Sequence, residues 1–575
     1  MSDDDSMTTL LVGLDAACAP VLDPLFENER LPHLRSIVEG GASGPLESQI
    51  PPWTASAWPS LFTGTNPGKH GVFGFLAFEG YDWDVVNATD VREHALWELL
   101  DTQGKSSVVV NVPVTHPPRP FSGALLPGYT APEEPACHPE GLLDDVREAI
   151  GDYRIYPPHE GAADVDTDTK IAEYRDLVGM RGAAFRYLIE RFAPDFGFVQ
   201  FQATDTVFHE CEGDRRAVRA VYEAVDEEVG EVLDSCDPDT VIVASDHGIG
   251  EYGGYGFRAN TFLDEQGYLT TQSGGEGMPT WVTARDTRLK TGETATATGT
   301  GTGTGTETDA EPAGPTPVER AIVLAARAGL TTQRITKVLE TFGLLDVALR
   351  YLPQGIGRAG TEQVDFPASW AYVRDAIELG VRLNVAGREP AGVVPEAEYE
   401  TVREDLIDRL SGLETPDGDP LFETVGPRED FFHGLESHRA VDIVTVPAGF
   451  EHSLSTHLGS PAFDEPSEPY DHKRNGIVAA RGGAVDSDAD LDGAHLFDVA
   501  PTVLATLGVP AGERMDGRVL PIAESVGETA YPDLIRRGAR KRSSRRRPST
   551  TPSDRGRTNY RLATAWQPET TYHGC

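Results

Sequence analysis

Six Asp and His side chains stand where short apolar runs of the chain end or begin. Three are carboxylates and three are imidazoles: Asp15, Asp205, His209, Asp246, His247 and His472. Asp205 and His209 are four residues apart, so a helix would carry them on one side of a turn. Asp246 and His247 are adjacent, and the glycine that follows permits a sharp turn. Singly, such a residue is more often a turn or cap residue, but four such features in one chain favour a shared site.

Carboxylate oxygens and imidazole nitrogens without a thiolate suit zinc or manganese. Three Asp and three His exceed one tetrahedral site but would furnish two, with a hydroxyl and substrate completing the shells. Two metal ions about 4 Å apart form a clamp on the attacking and leaving oxygens of a displacement at phosphorus.

The segment "PPWTASAWPSLFTGTNPGKHG" (51–71) is the candidate source of that hydroxyl. It holds five hydroxyl side chains and by itself does not distinguish among them: Thr54, Ser56, Ser60, Thr63 and Thr65. An alcohol must be activated by a base or a metal to attack at neutral pH. The chain has no G-x-S-x-G elbow, which favours activation by a metal.

The elements that must position these residues alternate between strands and helices. The predicted strands are short runs rich in Val and Ile: "TTLLVGLD", "SSVVVNVP", "DFGFVQFQATD", "DTVIVASDHG", "AVDIVTVP" and "NGIVAARGG". Amphipathic stretches of helical period lie at 180–192 and 217–233. We therefore predict an α/β sandwich with a parallel sheet and helices on both faces, and a site at the carboxyl ends of its strands.

The α/β pattern is interrupted after about residue 270. Residues 291–317 are low-complexity Thr/Gly followed by acid and Pro, which predicts a flexible surface loop. Helical patterns follow at 318–350 and 396–413, and strand-like runs resume near 440. We predict a core at 1–270 and 436–530, an inserted cap at 271–435, and a basic, disordered tail at 531–575.

Net charge is −43, and only seven of the 49 basic residues are lysines. Carboxylates spread along the chain with scarce Lys predict a halophilic protein, whose self-repulsion high salt screens. The same surface argues against binding duplex nucleic acid, except through the basic tail, which could instead contact the acidic surface of the protein itself.

Five scattered cysteines without a CxxC pair predict a reducing compartment. The acidic N-terminus is unlike a signal peptide, and no apolar run approaches ~20 residues. We expect a cytoplasmic protein without a membrane span, and a small-molecule phosphate ester as its partner.

Several of these segments, in order, resemble one family. They are "GLDAA", "PPWTASAWPSLFTGTNPGKHGVFGF", "DTVFH", "SDHGI", "DHKRNGIVAARGG" and "HLFDVAPTVLATLGVPAGERMDGRVL". Together they resemble the type I phosphodiesterase and nucleotide pyrophosphatase branch of the alkaline phosphatase superfamily, over roughly 8–275 and 435–525. The resemblance implies a three-layer α/β/α core with a mainly parallel sheet and an inserted cap, in a halophilic archaeal-type member.

The resemblance also implies a role for each site residue. One metal would be held by Asp15, Thr54, Asp246 and His247, and the other by Asp205, His209 and His472. Thr54, placed by the Thr-Gly pair nine residues later, would be the nucleophile and form a phosphoryl-threonine intermediate. Helix N–H groups after Thr54 would help to neutralise the phosphoryl oxygens. Here Asp15 is followed by Ala16, where the family commonly has glycine.

Other residues of these segments have a structural and a functional interpretation. Asn111 could donate to a phosphoryl oxygen or form a turn. For Lys69 and His70 we favour a helix end over electrophiles, and for Trp53 and Trp58 we favour packing over a nucleobase platform. Ser56 and Ser60 are interpreted as small residues that allow close helix packing. Arg388 could face an anionic substrate or pair with Glu389.

The predicted reaction is hydrolysis of a phosphodiester or phosphomonoester, with the diester favoured by the nucleophile segment. A sulfatase is disfavoured because Thr stands where a Cys-x-Pro-x-Arg motif would be required. The alternatives are a phosphoglycerate-mutase-like phosphotransferase and a non-catalytic binding protein on the same fold.

Overall fold

Apolar strands of four to eight residues form the centre of the protein, as their Val- and Ile-rich sequences predict. The computed structural model describes residues 7–532 except 163, 274–280, 286–288 and 290–361. These residues belong to one compact unit, Met1–Pro532. The predicted Thr/Gly loop, the helical pattern at 318–350 and the basic tail beyond residue 532 lie outside the described residues.

The strands of the described residues run from the N-terminus to the last short pairing near residue 529. In chain order they are β1 (Thr9–Leu14), β2 (Ala42–Glu47), β3 (Leu76–Glu79), β4 (Asp82–Val85), β5 (Ser107–Val110), β6 (Gly123–Leu126), β7 (Phe196–Phe201), β8 (Thr240–Ala244), β9 (Gly248–Glu251), β10 (Gly256–Arg258), β11 (Thr271–Ser273), β12 (Glu362–Val364), β13 (Ala371–Tyr372), β14 (Gly380–Leu383), β15 (Phe422–Pro427), β16 (Ile443–Pro447), β17 (Ser453–Ser455), β18 (Phe463–Asp464), β19 (Tyr470–Lys473), β20 (Asn475–Gly482), β21 (Ala494–His495), β22 (Ala511–Gly512) and β23 (Glu528–Thr529).

Along the chain, most of the described α-helices come between two strands of the main sheet. In chain order they are α1 (Ala19–Glu27), α2 (Pro32–Gly40), α3 (Thr54–Thr63), α4 (Pro67–His70), α5 (Leu96–Thr102), α6 (Leu142–Ile150), α7 (Thr167–Phe192), α8 (Ala203–Glu210), α9 (Arg215–Cys236), α10 (Ala259–Glu265), α11 (Trp281–Ala284), α12 (Tyr399–Ser411) and α13 (Val499–Thr506). The helices predicted within 180–192, 217–233 and 396–413 are confirmed as parts of α7 and α9 and as α12. None of the described helices has both the length and the apolar character that crossing a membrane requires.

The main sheet has eight strands in the order β21-β2-β20-β8-β1-β7-β5-β6. Strands β8, β1, β7, β5 and β6 are parallel neighbours, whereas β20 is antiparallel to both β8 and β2. Successive side chains of β1 enter opposite clusters: Leu11 packs on the side of α3 and α5, and Leu10 and Val12 on the side of α7 and α9. The predicted α/β fold with a mainly parallel sheet and helices on both faces is confirmed.

Two of the six predicted strands differ from the expectation of a parallel position in this sheet. The run at 475–482 is β20, which lies in the main sheet but in the antiparallel direction. The run at 443–447 is β16, which belongs to a separate four-stranded sheet, β13-β14-β16-β15. A buried apolar run has the same composition in either sheet and direction, so periodicity alone does not distinguish them.

Candidate active site

The parallel strands bring four of the predicted site residues to one edge of the main sheet. Asp15 directly follows β1, and Asp246 and His247 follow β8. Helix α8 begins two residues after β7 and carries Asp205 on its first turn. Because β7, β1 and β8 are parallel neighbours, their carboxyl ends lie side by side. The structure thus brings these four residues together at this edge, and their role in a site stays a prediction.

Two further histidines complete the cluster, one on α8 and one on β19. His209 lies one turn after Asp205 on α8, with its Nε2 3.4 Å from Asp205 Oδ1. His472 lies on β19, which pairs antiparallel with β9, opposite Ile249. Its ring stacks on that of His247 with centroids 3.9 Å apart. The turn of chain from His247 into β9 thus positions both imidazoles.

Thr54 is the first residue of α3 and is 2% exposed. Its Oγ1 donates a hydrogen bond to Asp15 Oδ1 at 3.3 Å and lies 3.3 Å from His247 Nε2. The other hydroxyls of this segment are engaged elsewhere, and the helix ends at Thr63 before Gly64, whose φ is +66°. Of the five candidates, Thr54 is the one that the structure brings against the Asp and His cluster.

The three histidines are oriented alike. Each Nδ1 lies at hydrogen-bond distance from an acceptor: Gly248 O at 3.0 Å for His247, Pro52 O at 3.1 Å for His472, and Glu468 Oε2 at 2.6 Å for His209. The Nε2 atoms face the carboxylates of Asp15, Asp246 and Asp205. An imidazole held through Nδ1 with Nε2 directed inward is the usual arrangement of a metal-binding histidine.

The cluster fits divalent metal ions. Ligand atoms within 4.8 Å of one another define three groups: Asp15, Asp246 and His247; Asp205, His247 and His472; His209, Asp471 and His472. Asp205 Oδ1 and Asp246 Oδ2 are buried without a well-formed hydrogen bond from the described residues, although His209 Nε2 and His247 Nε2 lie 3.4 and 3.1 Å away. Buried carboxylate oxygens in that state are costly unless a cation lies against them.

Charge interactions within the cluster shift its pKa values strongly. Burial and the neighbouring carboxylates of Asp246 and Asp205 raise the pKa of Asp15 well above its usual value. Burial alone would lower the pKa of His247, but Asp246 and Asp15 raise it to about 10. Burial and the neighbouring His247 hold the pKa of His472 well below its usual value. A bound cation would relieve the repulsion among the carboxylates.

Three residues that hold Asp15 in place were not identified from the sequence as its partners. Trp58 Nε1 and Gln200 Nε2 each donate to Asp15 Oδ2 at 2.8 Å, and Thr204 Oγ1 donates to the Asp15 carbonyl at 2.7 Å. Trp58 is fully buried, as the packing interpretation requires, but it is also a donor to the site. Its spacing of four residues from Thr54 in a helix was the signal available in the sequence.

Asp471 is a further residue of the cluster that sequence reasoning missed. It lies within the same group as His209 and His472, and Tyr252 Oη donates to its Oδ2 at 2.8 Å. The available signal was the Asp471-His472 pair, which repeats the adjacent Asp246-His247 pair.

Asn111 follows β5 and adopts a φ of +65°. Its Nδ2 donates to the backbone oxygen of Gln200 at 3.1 Å and to Gln200 Oε1 at 2.8 Å. It lines a small cavity of about 20 Å³ beside the larger pocket at Thr54. The structure thus connects Asn111 to Asp15 through Gln200, and its predicted contact with substrate stays a prediction.

The structure also bears on the alternative interpretations of Lys69, His70 and Arg388. His70 is fully buried at the end of α4, its Nε2 lies 2.8 Å from Ser60 Oγ, and burial lowers its pKa to about 3. Lys69 pairs with Asp516 at 2.5 Å, and Arg388 pairs with Glu389 at 3.0 Å and with Asp442 at 2.6 Å. The helix-end interpretation of Lys69 and His70 is therefore supported, and Arg388 is engaged in ion pairs.

Three small residues near the cluster have roles beyond those expected. Ser56 and Ser60 are more than spacers, because both hydrogen-bond to Gln49 behind α3. Ala16 has a φ of +60°, in the left-handed region that favours glycine, and its N–H donates to Asp246 Oδ1 at 3.3 Å. The conformation explains why the family commonly has glycine there.

A mainly parallel α/β sheet thus carries a cluster of candidate Asp and His metal ligands at its strand ends, an arrangement suited to metal-assisted hydrolysis. The family model described as type I phosphodiesterase / nucleotide pyrophosphatase matches residues 9–299. The chain belongs to this family and is a phosphoester hydrolase.

Solved structures of hydrolases are similar to this chain at low sequence identity. Phosphonoacetate hydrolase from Sinorhizobium meliloti 1021, in complex with phosphonoformate, is 15% identical with a TM-score of 0.48, over 86% of this chain and 94% of that one. Murine ectonucleotide pyrophosphatase / phosphodiesterase 5, as an inactive variant with AMP, is 12% identical with a TM-score of 0.44, over 88% and 96%.

A mutant of the alkaline phosphatase PafA is 13% identical with a TM-score of 0.49, over 89% of this chain and 98% of that one. A search of curated proteins found no match.

Proposed function

We propose that this chain hydrolyses phosphodiesters with Thr54 as the nucleophile. The observation that carries the proposal is the position of Thr54 Oγ1, 3.3 Å from both Asp15 Oδ1 and His247 Nε2 and on the wall of the larger pocket. This hydroxyl is thus the one that lies between candidate metal ligands and the space for a substrate. Its place at the start of α3 supports the same role, because helix N-terminal N–H groups favour a phosphoryl oxygen there.

The ligand groups support two divalent ions. Asp15, Thr54, Asp246 and His247 would hold one, and Asp205, His209 and His472 the other, with zinc or manganese suited to this donor set. When bound, two such ions would lower the pKa of the Thr54 hydroxyl and stabilise negative charge on the leaving oxygen.

The residues of the chain itself carry the displacement. The Thr54 hydroxyl gives up its proton, and its oxygen forms a bond to phosphorus as the bond to the leaving ester oxygen breaks. The leaving oxygen takes up a proton, and the phosphoryl group on Thr54 keeps the other ester arm. Hydrolysis of the phosphoryl-threonine by water then restores the hydroxyl. Trp58 and Gln200 hold Asp15 in position beside Thr54 throughout.

Further properties belong to the same proposal. Excess carboxylates with few lysines support a halophilic protein of archaeal type. The cysteines within the described residues, Cys18, Cys137, Cys211 and Cys236, are all free, which supports a reducing cytoplasm. A small phosphate ester remains the proposed partner, with nucleic acid restricted to the basic tail.

The test is a panel of esters assayed side by side in molar salt with zinc or manganese: bis(p-nitrophenyl) phosphate, p-nitrophenyl phosphate and p-nitrophenyl sulfate. We expect the diester to be turned over fastest and the sulfate least. Thr54→Ala should lower kcat by at least about a thousandfold with the fold intact, whereas Thr54→Ser, the matched control, keeps a hydroxyl and measurable turnover. Turnover of Thr54→Ala at the wild-type rate would exclude Thr54 as the nucleophile.

A further inference from the structure

A pocket of about 320 Å³ opens beside the Asp and His cluster. Thr54, Asp205, His209 and His472 form one side of it. A phosphorus atom attacked by Thr54 would lie at this side, so one ester arm of the substrate would occupy the remaining space. The residues around that space therefore determine which arms are accepted.

Three of the residues that line the pocket form an aromatic wall: Phe75, Tyr129 and Trp281. The rings of Phe75 and Trp281 stack with centroids 4.4 Å apart, and Tyr129 lies 5.4 Å from Trp281. Trp281 Nε1 donates to Tyr129 Oη at 3.0 Å, so the polar atom of the indole is already engaged. Ile377 and Leu379 extend the apolar surface. This wall offers stacking and dispersion contacts to a flat or apolar group.

The charged groups around the same space are mainly acidic. Besides Asp205, four residues of the described lining carry carboxylates: Glu160, Glu210, Glu468 and Asp471. Arg285 is the one Lys or Arg side chain in the described part of the lining, and its Nη1 pairs with Glu160 Oε1 at 2.9 Å. Both side chains of this pair are at most 6% exposed. Glu210 pairs with Lys170 at 3.0 Å, and Glu468 Oε2 lies 2.6 Å from His209 Nδ1. A phosphate group entering this region would still meet more carboxylates than Lys or Arg side chains in the described lining.

The balance of charge favours one class of ester arm. Phosphate recognition normally requires an Arg fork or Lys directed at the group, and like charges placed together cost several-fold or more in affinity. An uncharged aromatic or aliphatic arm has no such penalty and gains contact with the wall. A cationic arm gains in addition from the carboxylates and from the ring faces.

We propose that this pocket accepts phosphodiesters whose ester arm is uncharged or cationic, and rejects arms that carry a further phosphate, including phosphoanhydrides. The inference rests on the proposed function, since it places the attacked phosphorus at Thr54. The family description names two kinds of bond, the phosphodiester and the pyrophosphate. The inference assigns the phosphodiester to this chain.

The test uses two substrates that share the scissile bond and the leaving group. They are the p-nitrophenyl ester of thymidine 5′-phosphate and the same ester with an added 3′-phosphate. We expect kcat/KM of the intact, metal-loaded enzyme to fall by about tenfold or more when the 3′-phosphate is present. Equal or higher kcat/KM for the phosphorylated ester would overturn the inference.

Two variants identify the residues responsible. Glu160→Gln removes the carboxylate partner of Arg285, and we expect the ratio between the two esters to narrow several-fold. Arg285→Gln, the matched control, removes the cation and should leave the ratio unchanged or wider. A wider ratio in Glu160→Gln would contradict the role of this pair. The comparison on the unaltered enzyme stands even if either variant fails to fold.

A binding measurement distinguishes the failure of this inference from the failure of the proposed function. Titration calorimetry with thymidine 5′-phosphate and with thymidine 3′,5′-bisphosphate should show weaker binding of the bisphosphate. If neither ester is hydrolysed but this difference persists, the reaction proposed for Thr54 fails and the selectivity of the pocket stands. If the bisphosphate binds as tightly or more tightly, the selectivity is overturned whatever the turnover.

Discussion

Asp15 illustrates how a single side chain depends on its neighbours for a chemical role. Its Oδ2 accepts hydrogen bonds from Trp58 and Gln200, which leaves Oδ1 directed at Thr54. The sequence predicted Asp15 because a carboxylate ends a buried strand. It did not reveal the two donors, because they come from a helix and a neighbouring strand that only the fold brings together.

Trp58→Phe tests this orientation. The phenyl ring keeps most of the buried apolar surface and removes the N–H donor, so we expect Asp15 to lose one hydrogen bond worth about 1.5–3 kcal/mol to a charged acceptor. The measured consequences should be a roughly tenfold lower kcat on bis(p-nitrophenyl) phosphate and weaker metal retention. Trp97→Phe, at a buried Trp that packs on Phe62, is the control and should leave kcat unchanged. Equal kcat for both variants would contradict a role for the Trp58 donor.

Ala16→Gly tests the backbone beside the same carboxylate. An alanine at a φ of +60° is disfavoured by about 1–2 kcal/mol, and glycine removes that cost in the folded state. Glycine also raises the conformational entropy of the unfolded chain, which cancels part of the gain in stability. We therefore expect the free energy of unfolding to rise by about 0.5–1 kcal/mol, measured by denaturant titration. A fall in stability would show that the left-handed conformation is not strained.

At the scale of elements, helix α3 must be fixed for Thr54 to stay beside Asp15. On its buried face, α3 takes part in a hydrogen-bond network with Gln49. Gln49 Nε2 donates to Ser56 Oγ at 2.6 Å, and Ser60 Oγ donates to Gln49 Oε1. His70 ends that network at 2.8 Å from Ser60, and its low pKa of about 3 keeps it neutral. The anchoring is polar, although the sequence of the helix indicates packing alone.

Gln49→Met tests the anchor. The substitution keeps the volume and removes the three hydrogen bonds of Gln49, to Pro51 O, Ser56 and Ser60. The hydroxyls of Ser56 and Ser60 are then left with fewer partners in a buried region. We expect a loss of about 1–3 kcal/mol in the free energy of unfolding, with a lower kcat as α3 loosens. Gln103→Met, at an exposed glutamine, is the matched control and should change neither. Unchanged stability of Gln49→Met would show that packing alone holds the helix.

The elements show which parts of the site a sequence can predict. Asp15, Asp205, Asp246 and His247 were predictable, because parallel strands of regular length bring their ends to one edge. Asp471 gave only the indirect signal of its Asp-His pair. Pro52 and Glu468, the Nδ1 partners of His472 and His209, gave none, because each is distant in sequence from its histidine. Strand β16 was assigned to the wrong sheet because its apolar pattern is common to both.

At the scale of the whole molecule, charge dominates. The chain has 92 acidic and 49 basic residues, and the site concentrates three buried aspartates at one sheet edge. Under the proposed function, we expect the folded state to depend on cations in two ways: on salt that screens the acidic surface and on ions bound at the cluster.

Chelation and salt should therefore act separately on thermal stability. In molar KCl, we expect EDTA to lower Tm by several degrees, because ions that bind only the folded state stabilise it. Dilution of KCl at constant zinc or manganese should lower Tm further as self-repulsion of the acidic surface increases. Asp205→Asn should abolish most of the EDTA effect but not the salt effect. An unchanged Tm on chelation would contradict metal binding at this cluster.

The most direct measurement is to trap the covalent intermediate. The metal-loaded enzyme would be mixed with bis(p-nitrophenyl) phosphate, quenched in acid during turnover, and analysed by peptide mass spectrometry. We predict a p-nitrophenyl phosphoryl ester on Thr54 in the wild type and in no peptide of Thr54→Ala, together with a matching loss of turnover. Turnover that persists in Thr54→Ala, or an ester found on another residue, would contradict Thr54 as the nucleophile.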